Sequence, residues 1–454
     1  MTRFLAATLL ALPLAACATT QAPIAGSAAT ASTGPATQVS ADRLRADVEA
    51  MVGFGTRHTL SEQDSAARGI GAATRWGEGQ FRAISRDCGG CLQVVTPERM
   101  ITGARIPEPV RLVNVVAIQR GTERPDEVVI VQGHIDSRVT DVMDATSDAP
   151  GANDNASGTA LVIEAARVLS QQRYPTTIVY ALLSGEEQGL HGGALLADYA
   201  AEQGWQVKAV LNNDIVGGSC GSDGLCDART VRVFSEGPRA DLDERTRAAQ
   251  SRNGGENDSP GRNLSRWIDA LAAEEPGWLD VRQIWRTDRM GRGGDQIPFL
   301  AKGYPAVRFS VAIEDYEHQH QDLRTEGGIT YGDTIDEMDF PYLARVTQLN
   351  VRALDRLARS PMPPAPNVEA AVQTFTALEW QAVPGAASYS IWRRRTDQPG
   401  WERFRERIAG TQARLEGVRG DDWLFGVSAI SAAGVESPVA SAVPGGAFAP
   451  LVTE

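Results

Sequence analysis

The chain has 454 residues, of which 42% are hydrophobic and 22% are charged, a balance typical of a globular protein with an ordinary hydrophobic core. Its 44 Lys and Arg against 57 Asp and Glu give a net charge of −13, which argues against a nucleic-acid-binding surface, because phosphate binding needs clustered cations. Five cysteines in this length exclude a disulfide-stapled miniprotein, and no apolar run is long enough to predict a transmembrane helix.

The N-terminal residues have the pattern of a targeting segment. Arg3 supplies positive charge, residues 4–16 are apolar but too short to span a bilayer, and small residues precede Cys17. Residues 1–17 resemble a lipoprotein signal peptide in which the cysteine is acylated; cleavage by the general signal peptidase is the alternative. We therefore expect an exported periplasmic or outer-membrane lipoprotein of a bacterium, held to the membrane only through a lipid on Cys17. Residues 18–40 are rich in Ala, Thr, Ser, Gly and Pro and are predicted to be a flexible tether.

Four further cysteines form two local pairs. In an oxidising compartment, Cys88 with Cys91 and Cys220 with Cys226 can each close a short loop. A zinc ribbon would need two similarly spaced pairs, whereas these two pairs are spaced differently. The pattern therefore favours two local disulfides.

The middle of the chain alternates strand and helix signals. Apolar, β-branched runs predict buried parallel strands at residues 127–131, 176–183, 207–211 and 306–310. Apolar residues at helical spacing predict helices at residues 156–171 and 340–358. This alternation predicts an α/β fold with a mixed, largely parallel sheet flanked by helices.

Polar side chains stand at the end of each predicted strand. In chain order they are His134, Asp136, Asp154, Glu186, Glu187, Asp214, and either His318 or His320. In open α/β sheets the ligand site lies outside the carboxyl ends of the strands, so these side chains are expected to meet. Imidazole and carboxylate groups suit a pair of divalent ions such as zinc, with one carboxylate bridging the ions and another left free to act as a base.

Four segments together resemble a known family. GHIDS, PGANDNASG, SGEEQGLHG and NNDIVG, in this order, resemble the motifs of the secreted dinuclear zinc aminopeptidases, a superfamily that includes glutamate carboxypeptidase and glutaminyl cyclase. The resemblance covers residues 41–360 and implies a zinc exopeptidase domain with two zinc ions.

The resemblance also implies a role for each side chain. The implied metal ligands are His134 and Asp214 on one ion, Glu187 and His320 on the other, and Asp154 as the bridge. Glu186 would be the general base, and Asp136 would orient His134. The final motif departs from the family pattern, because an insertion separates His320 from Asp333, and His318 is the alternative ligand.

These assignments imply an exported aminopeptidase acting on peptides, in which a metal-bridged hydroxide attacks the scissile carbonyl and Glu186 takes its proton. One alternative is a carboxypeptidase-like peptidase, in which Arg286, Arg289 and Arg292 would hold a substrate carboxylate. Another is a non-catalytic surface-binding lipoprotein. Residues 236–294 are predicted to be an irregular wall of the pocket, and residues 314–317 a solvated acidic rim.

The C-terminal region is predicted to be a separate unit. Residues 361–366 form a Pro-rich linker. Beyond it, apolar residues alternate with polar ones at Leu378 and Trp380, Tyr389 and Ile391, and Phe425, Val427 and Ala429. This period of two predicts short antiparallel strands. Residues 367–447 resemble a fibronectin type III domain, a small all-β sandwich, and contain no catalytic set. Oligomeric state is not predicted.

Overall fold

The computed structural model of the protein describes residues 34–451. The predicted signal peptide, the lipid attachment at Cys17 and most of the predicted tether lie outside these residues. The described end of the tether is ordered: Pro35–Gln38 forms a 3-10 helix in which Pro35 and Ala36 are buried. No helix among the described residues is both long and apolar enough to cross a membrane.

An eight-stranded mixed sheet forms the centre of the larger domain. The strands before residue 335 are β1 (Gln93–Val95), β2 (Glu98–Gly103), β3 (Ile106–Val113), β4 (Val115–Gln119), β5 (Arg124–His134), β6 (Thr176–Leu183), β7 (Gln206–Asn213), β8 (Thr230–Phe234), β9 (Asp280–Ile284), β10 (Ala306–Val311), β11 (Arg324–Glu326) and β12 (Ile329–Tyr331). The sheet order is β1-β4-β6-β5-β7-β10-β8-β9, while β2 with β3 and β11 with β12 form separate hairpins. The four central strands, β6, β5, β7 and β10, pair in parallel, and their carboxyl ends therefore share one edge.

Helices cover both faces of this sheet. They are α1 (Ala41–Val52), α2 (Gly69–Asp87), α3 (Ser157–Leu169), α4 (His191–Glu202), α6 (Pro260–Ala272), α7 (Ile297–Ala301) and α8 (Phe340–Arg359). The remaining helix, α5 (Glu244–Asn253), contributes no residue to the buried clusters on these faces. Successive residues of β5 face opposite layers: Val129 and Val131 belong to a cluster with α1, α2, α3, α6 and α8, whereas Val128 and Ile130 belong to a cluster with α4 and α7. The predicted fold class is confirmed.

The segment between residues 236 and 294 is more regular than the sequence analysis predicted. It contains α5, α6 and β9, so the expectation of an irregular wall is wrong for about half of its length. Ser259 caps α6 by accepting a hydrogen bond from the backbone N–H of Arg262, and Leu264, Ile268 and Leu271 are buried at helical spacing. These residues form a helix because one apolar stripe packs on the core while the rest of the surface is polar.

The C-terminal part consists of two small antiparallel sheets. Its strands are β13 (Asn367–Glu369), β14 (Phe375–Glu379), β15 (Ala386–Arg395), β16 (Glu402–Ile408), β17 (Gln412–Glu416), β18 (Trp423–Ser431) and β19 (Ala440–Ser441). Their orders are β13-β14-β17 and β16-β15-β18-β19. The two sheets share one hydrophobic core, which gives the predicted all-β unit. The core contains Leu378 of β14, Trp380 directly after β14, and Ile391, Phe425 and Val427 of the second sheet. Its fibronectin type III assignment stays a prediction.

Both predicted cysteine pairs are bonded, Cys88 with Cys91 and Cys220 with Cys226. The first bond closes the end of α2, and the second closes a loop that follows β7.

A buried ion pair joins the C-terminal unit to the larger domain. Asp258, which is fully buried, lies 2.9 Å from Arg266 of α6 and 2.7 Å from Arg394 of β15. Because Asp258→Ala would leave two buried guanidinium groups without this counter-charge, we expect the free energy of unfolding to fall by about 3–5 kcal/mol. Urea denaturation measures the change. Glu416→Ala, which breaks the exposed pair with Arg414, is the control and should cost at most about 1 kcal/mol. Equal small losses in both variants would contradict the prediction.

Candidate metal centre

His134 is the last residue of β5 and points into a ring of carboxylates. Its Nδ1 lies 3.1 Å from the backbone carbonyl oxygen of Asp136, which leaves Nε2 facing Oδ1 of Asp154 at 3.2 Å and Oδ1 of Asp214 at 3.7 Å. Burial alone would lower the pKa of His134, but the carboxylates of Asp136, Asp154 and Asp214 raise it well above its ordinary value. The site therefore attracts positive charge.

Asp154 stands between two groups of side chains. Its Oδ1 faces His134, and its Oδ2 lies 2.9 Å from Nε2 of His320. The loop that carries Asp154 precedes α3 and is held by Asp333, whose carboxylate accepts hydrogen bonds from the backbone N–H groups of Asn153 and Asp154. The peptide bond between Asp154 and Asn155 is cis.

Glu187 completes the second group. It follows β6, and its Oε1 lies 3.0 Å from Nε2 of His320. His318 is placed elsewhere: its ring lies between Asp315 at 2.9 Å and Glu337 at 3.2 Å. Of the two histidines that the sequence left open, His320 is the one beside the other candidate ligands.

Asp136 and Glu186 lie next to these ligands. The Asp136 carboxylate accepts hydrogen bonds from the backbone N–H groups of Glu186, at 3.3 Å, and Glu187, at 3.1 Å. Asp136 therefore connects the end of β5 to the loop after β6, in addition to its contact with His134. Burial raises the pKa of the Glu186 carboxyl well above its ordinary value, and the charges of Asp214 and Glu187 act in the same direction.

The donor set fits a pair of metal ions. Two groups, His134 with Asp154 and Asp214, and Asp154 with Glu187 and His320, each bring their ligand atoms within 4.8 Å of one another. His134 Nε2 and Asp154 Oδ1 are buried and have no hydrogen-bond partner within residues 34–451. Buried polar atoms of this kind need a partner, and nitrogen and carboxylate ligands are those that zinc takes. Asp154 is the shared member, as a bridging carboxylate must be.

Three buried or partly buried arginines around this centre were not found from the sequence. Arg57 donates hydrogen bonds to the carbonyl oxygens of Ile135 and Gly151, which holds the Asp154 loop against the end of β5. Arg138 contacts Glu187 at 2.9 Å and His320 at 2.6 Å. Arg308 of β10 lies 2.7 Å from Asp214. Of these three arginines, only Arg308 could have been noticed in the sequence, because it is a charged residue inside an apolar strand.

Four of the five candidate ligands, Asp154, Glu187, Asp214 and His320, line an open cleft of about 550 Å³. Glu186 lines the same cleft, together with Arg289 and Arg292. Arg286 is exposed and is not among the lining residues, so the expectation that it faces the site is wrong.

The expected solvated rim at residues 314–317 is wrong for Glu314, whereas residues 315–317 are half-buried or exposed. Glu314 is 6% exposed, because three arginines enclose its carboxylate. They are Arg232, Arg289 and Arg292.

Comparison with known proteins places this site in a family. Residues 114–326 match peptidase family M28. A protein of the fungus Leptosphaeria maculans, named a probable zinc metalloprotease, is 42% identical over 90% of this chain and 96% of its own length. A protein of the same description from Pyricularia oryzae is 41% identical over 90% of this chain and 83% of its own length. The LapA aminopeptidase of Legionella pneumophila shares the fold, with a TM-score of 0.51 and 19% identity over 71% of this chain and 72% of its own.

The relatives correct the expected location. The similar proteins of Leptosphaeria, Pyricularia and Phaeosphaeria come from fungi, whose cells have no outer membrane, so the expectation of a bacterial periplasmic or outer-membrane lipoprotein is wrong. The expected lipid depended on Cys17, whereas an apolar run followed by small residues is common to targeting segments of many kinds. The similarity to the Leptosphaeria protein extends over nine-tenths of the chain. This chain belongs to peptidase family M28.

Proposed function

We propose that the protein is a zinc-dependent aminopeptidase that removes the N-terminal residue of peptides. The observation that carries this proposal is the pair of ligand groups that share Asp154, with Glu186 beside them in an open cleft. The names of the fungal relatives support zinc as the metal.

The residues of each group would hold one ion. His134, Asp154 and Asp214 would hold the first, and Asp154, Glu187 and His320 the second. When bound, such ions polarise a carbonyl oxygen and lower the pKa of a water molecule.

Glu186 has the properties of the general base. It lines the cleft and belongs to neither ligand group, so its carboxylate is free to accept a proton. It would accept the proton of the attacking water and then deliver that proton to the leaving amine. The hydrogen bonds from the backbone of Glu186 and Glu187 to Asp136 position both side chains.

Peptides with free and N-acetylated ends test the proposal. The zinc-loaded protein should release the first residue of a free peptide and leave its acetylated counterpart intact, as read by mass spectrometry of the products. A chelator should abolish the reaction, and added zinc should restore it. Release of C-terminal residues would instead support the carboxypeptidase-like alternative. Full activity in metal-stripped protein would refute both.

A further inference from the structure

The cleft above the candidate metal centre is lined by four arginines. They are Arg105, Arg138, Arg289 and Arg292. They come from three separate parts of the chain: the turn between β2 and β3, the residues after β5, and the loop between β9 and α7. A cleft built for neutral peptides has no need for so much positive charge.

The carboxylates available to these arginines are few. The acids that line the cleft are those assigned above to the ions and to proton transfer: Asp154, Glu186, Glu187 and Asp214. The buried carboxylate of Glu314 contacts three arginines, Arg232, Arg289 and Arg292. Burial opposes its ionisation, but Arg289 and Arg232 lower the pKa of its carboxyl. Asp288 also contacts Arg289, at 3.0 Å, so two carboxylates, Asp288 and Glu314, face the three arginines Arg232, Arg289 and Arg292.

Two of the four arginines, Arg105 and Arg292, have side-chain N–H groups that form no hydrogen bond within residues 34–451. Within residues 34–451, Arg105 forms one side-chain hydrogen bond, from Nη1 to the carbonyl oxygen of Glu187 at 2.9 Å, and no ion pair. Arg292 uses only Nη1, which lies 3.0 Å from both Glu314 and Gln319. Arg138, by contrast, is engaged by Glu187 and His320.

We propose that Arg105 and Arg292 bind a carboxylate of the substrate, so that the preferred substrates carry this group on the residue beyond the scissile bond. A guanidinium presents a planar fork of donors that matches a carboxylate. The residue before the bond carries the ammonium group of the substrate, and its repulsion from the arginines favours a carboxylate on the leaving side. The inference rests on the proposed function and names its substrate class. The carboxylate is either the C-terminus of a dipeptide or an acidic side chain.

Matched substrates distinguish these two sources. Leu-Ala against Leu-Ala-amide tests the terminal carboxylate, and Leu-Glu-amide against Leu-Gln-amide tests the side chain. We expect the carboxylate member of at least one pair to have a kcat/KM about tenfold higher or more, the size of effect that charge-assisted hydrogen bonds produce. Similar kcat/KM values within both pairs would overturn the inference.

Variants assign the preference to residues. In Arg105→Gln/Arg292→Gln, the preference should disappear while kcat/KM for the uncharged member stays within about twofold, which also reports that the protein is folded. Arg286→Gln is the matched control, because Arg286 is exposed in the same loop but does not line the cleft, and it should keep the preference. Persistence of the preference in the double variant, or its loss in the control, would overturn the assignment.

Binding separates this inference from the proposed function. Calorimetry of the same four peptides with the zinc-loaded Glu186→Gln variant measures affinity without turnover. Carboxylate-dependent binding by the variant, with no hydrolysis of any of the four peptides by the unsubstituted zinc-loaded protein, would sustain the inference and refute the proposed function. Hydrolysis of all four peptides by the unsubstituted protein, with equal binding of all four by the variant, would do the reverse.

Discussion

Glu186→Gln is expected to lower kcat by about 10²–10⁴-fold while the zinc content of the protein stays unchanged. Glutamine has nearly the same size as glutamate, but its amide cannot accept a proton from water at neutral pH. Glu186 also belongs to neither ligand group, so the ions should remain. Steady-state kinetics and elemental analysis of the purified variant measure the two quantities.

The neighbouring residue provides the matched control. Glu187→Gln makes the same chemical change one position along the chain, at a residue that belongs to the group with Asp154 and His320. This variant should lose zinc as well as activity. If Glu186→Gln kept more than about a tenth of kcat, or lost zinc as Glu187→Gln does, the role of Glu186 as general base would be wrong.

Asp154→Asn is expected to weaken binding of both ions and to reduce hydrolysis to background. The two oxygens of Asp154 belong to different ligand groups, and an amide has only one oxygen with which to replace them. We expect a loss of affinity beyond the roughly 10–100-fold caused by substitutions of groups that merely hydrogen-bond to metal ligands. Zinc titration of the metal-stripped variant measures it.

Two histidine variants complete this experiment. His320→Ala should weaken one ion only, because His320 belongs to one of the two groups. His318→Ala should leave both ions of this centre bound, because His318 belongs to neither of the two groups and lies between Asp315 and Glu337. Unchanged zinc binding in Asp154→Asn, or weakened binding in His318→Ala, would contradict the assignment of the two groups. Circular dichroism of each variant reports whether the fold is kept.

The elements that carry the site were predictable because their signals are local. β5, β6, β7 and β10 are apolar runs that end at polar residues, and a parallel strand buried on both faces has this character along its whole length. The other four strands of the sheet, β1, β4, β8 and β9, were not predicted. β9 carried no signal, because at the edge of the sheet its residues are exposed or half-buried and its sequence lacks an apolar run.

The polar residues that support the ligands were predictable only in part. Asp136 was identified with His134 because it follows the same strand. Arg57 was not, because it lies in a loop far along the chain from the carbonyl groups of Ile135 and Gly151 that it binds. The supporting role of Arg57 can be recognised only when its hydrogen-bond partners are known. Those partners are backbone carbonyl groups, which are present at every position of any sequence and therefore give no local signal.

The amino-acid sequence alone was enough to predict the α/β core and the six side chains at the strand ends that the structure brings together, because strand periodicity and the order of the motifs are written along the chain. The tertiary structure decided which histidine joins Glu187, and it placed Arg105 and Arg292 in the same cleft. These are contacts between loops, and a loop's position depends on the elements that anchor both of its ends rather than on its own residues.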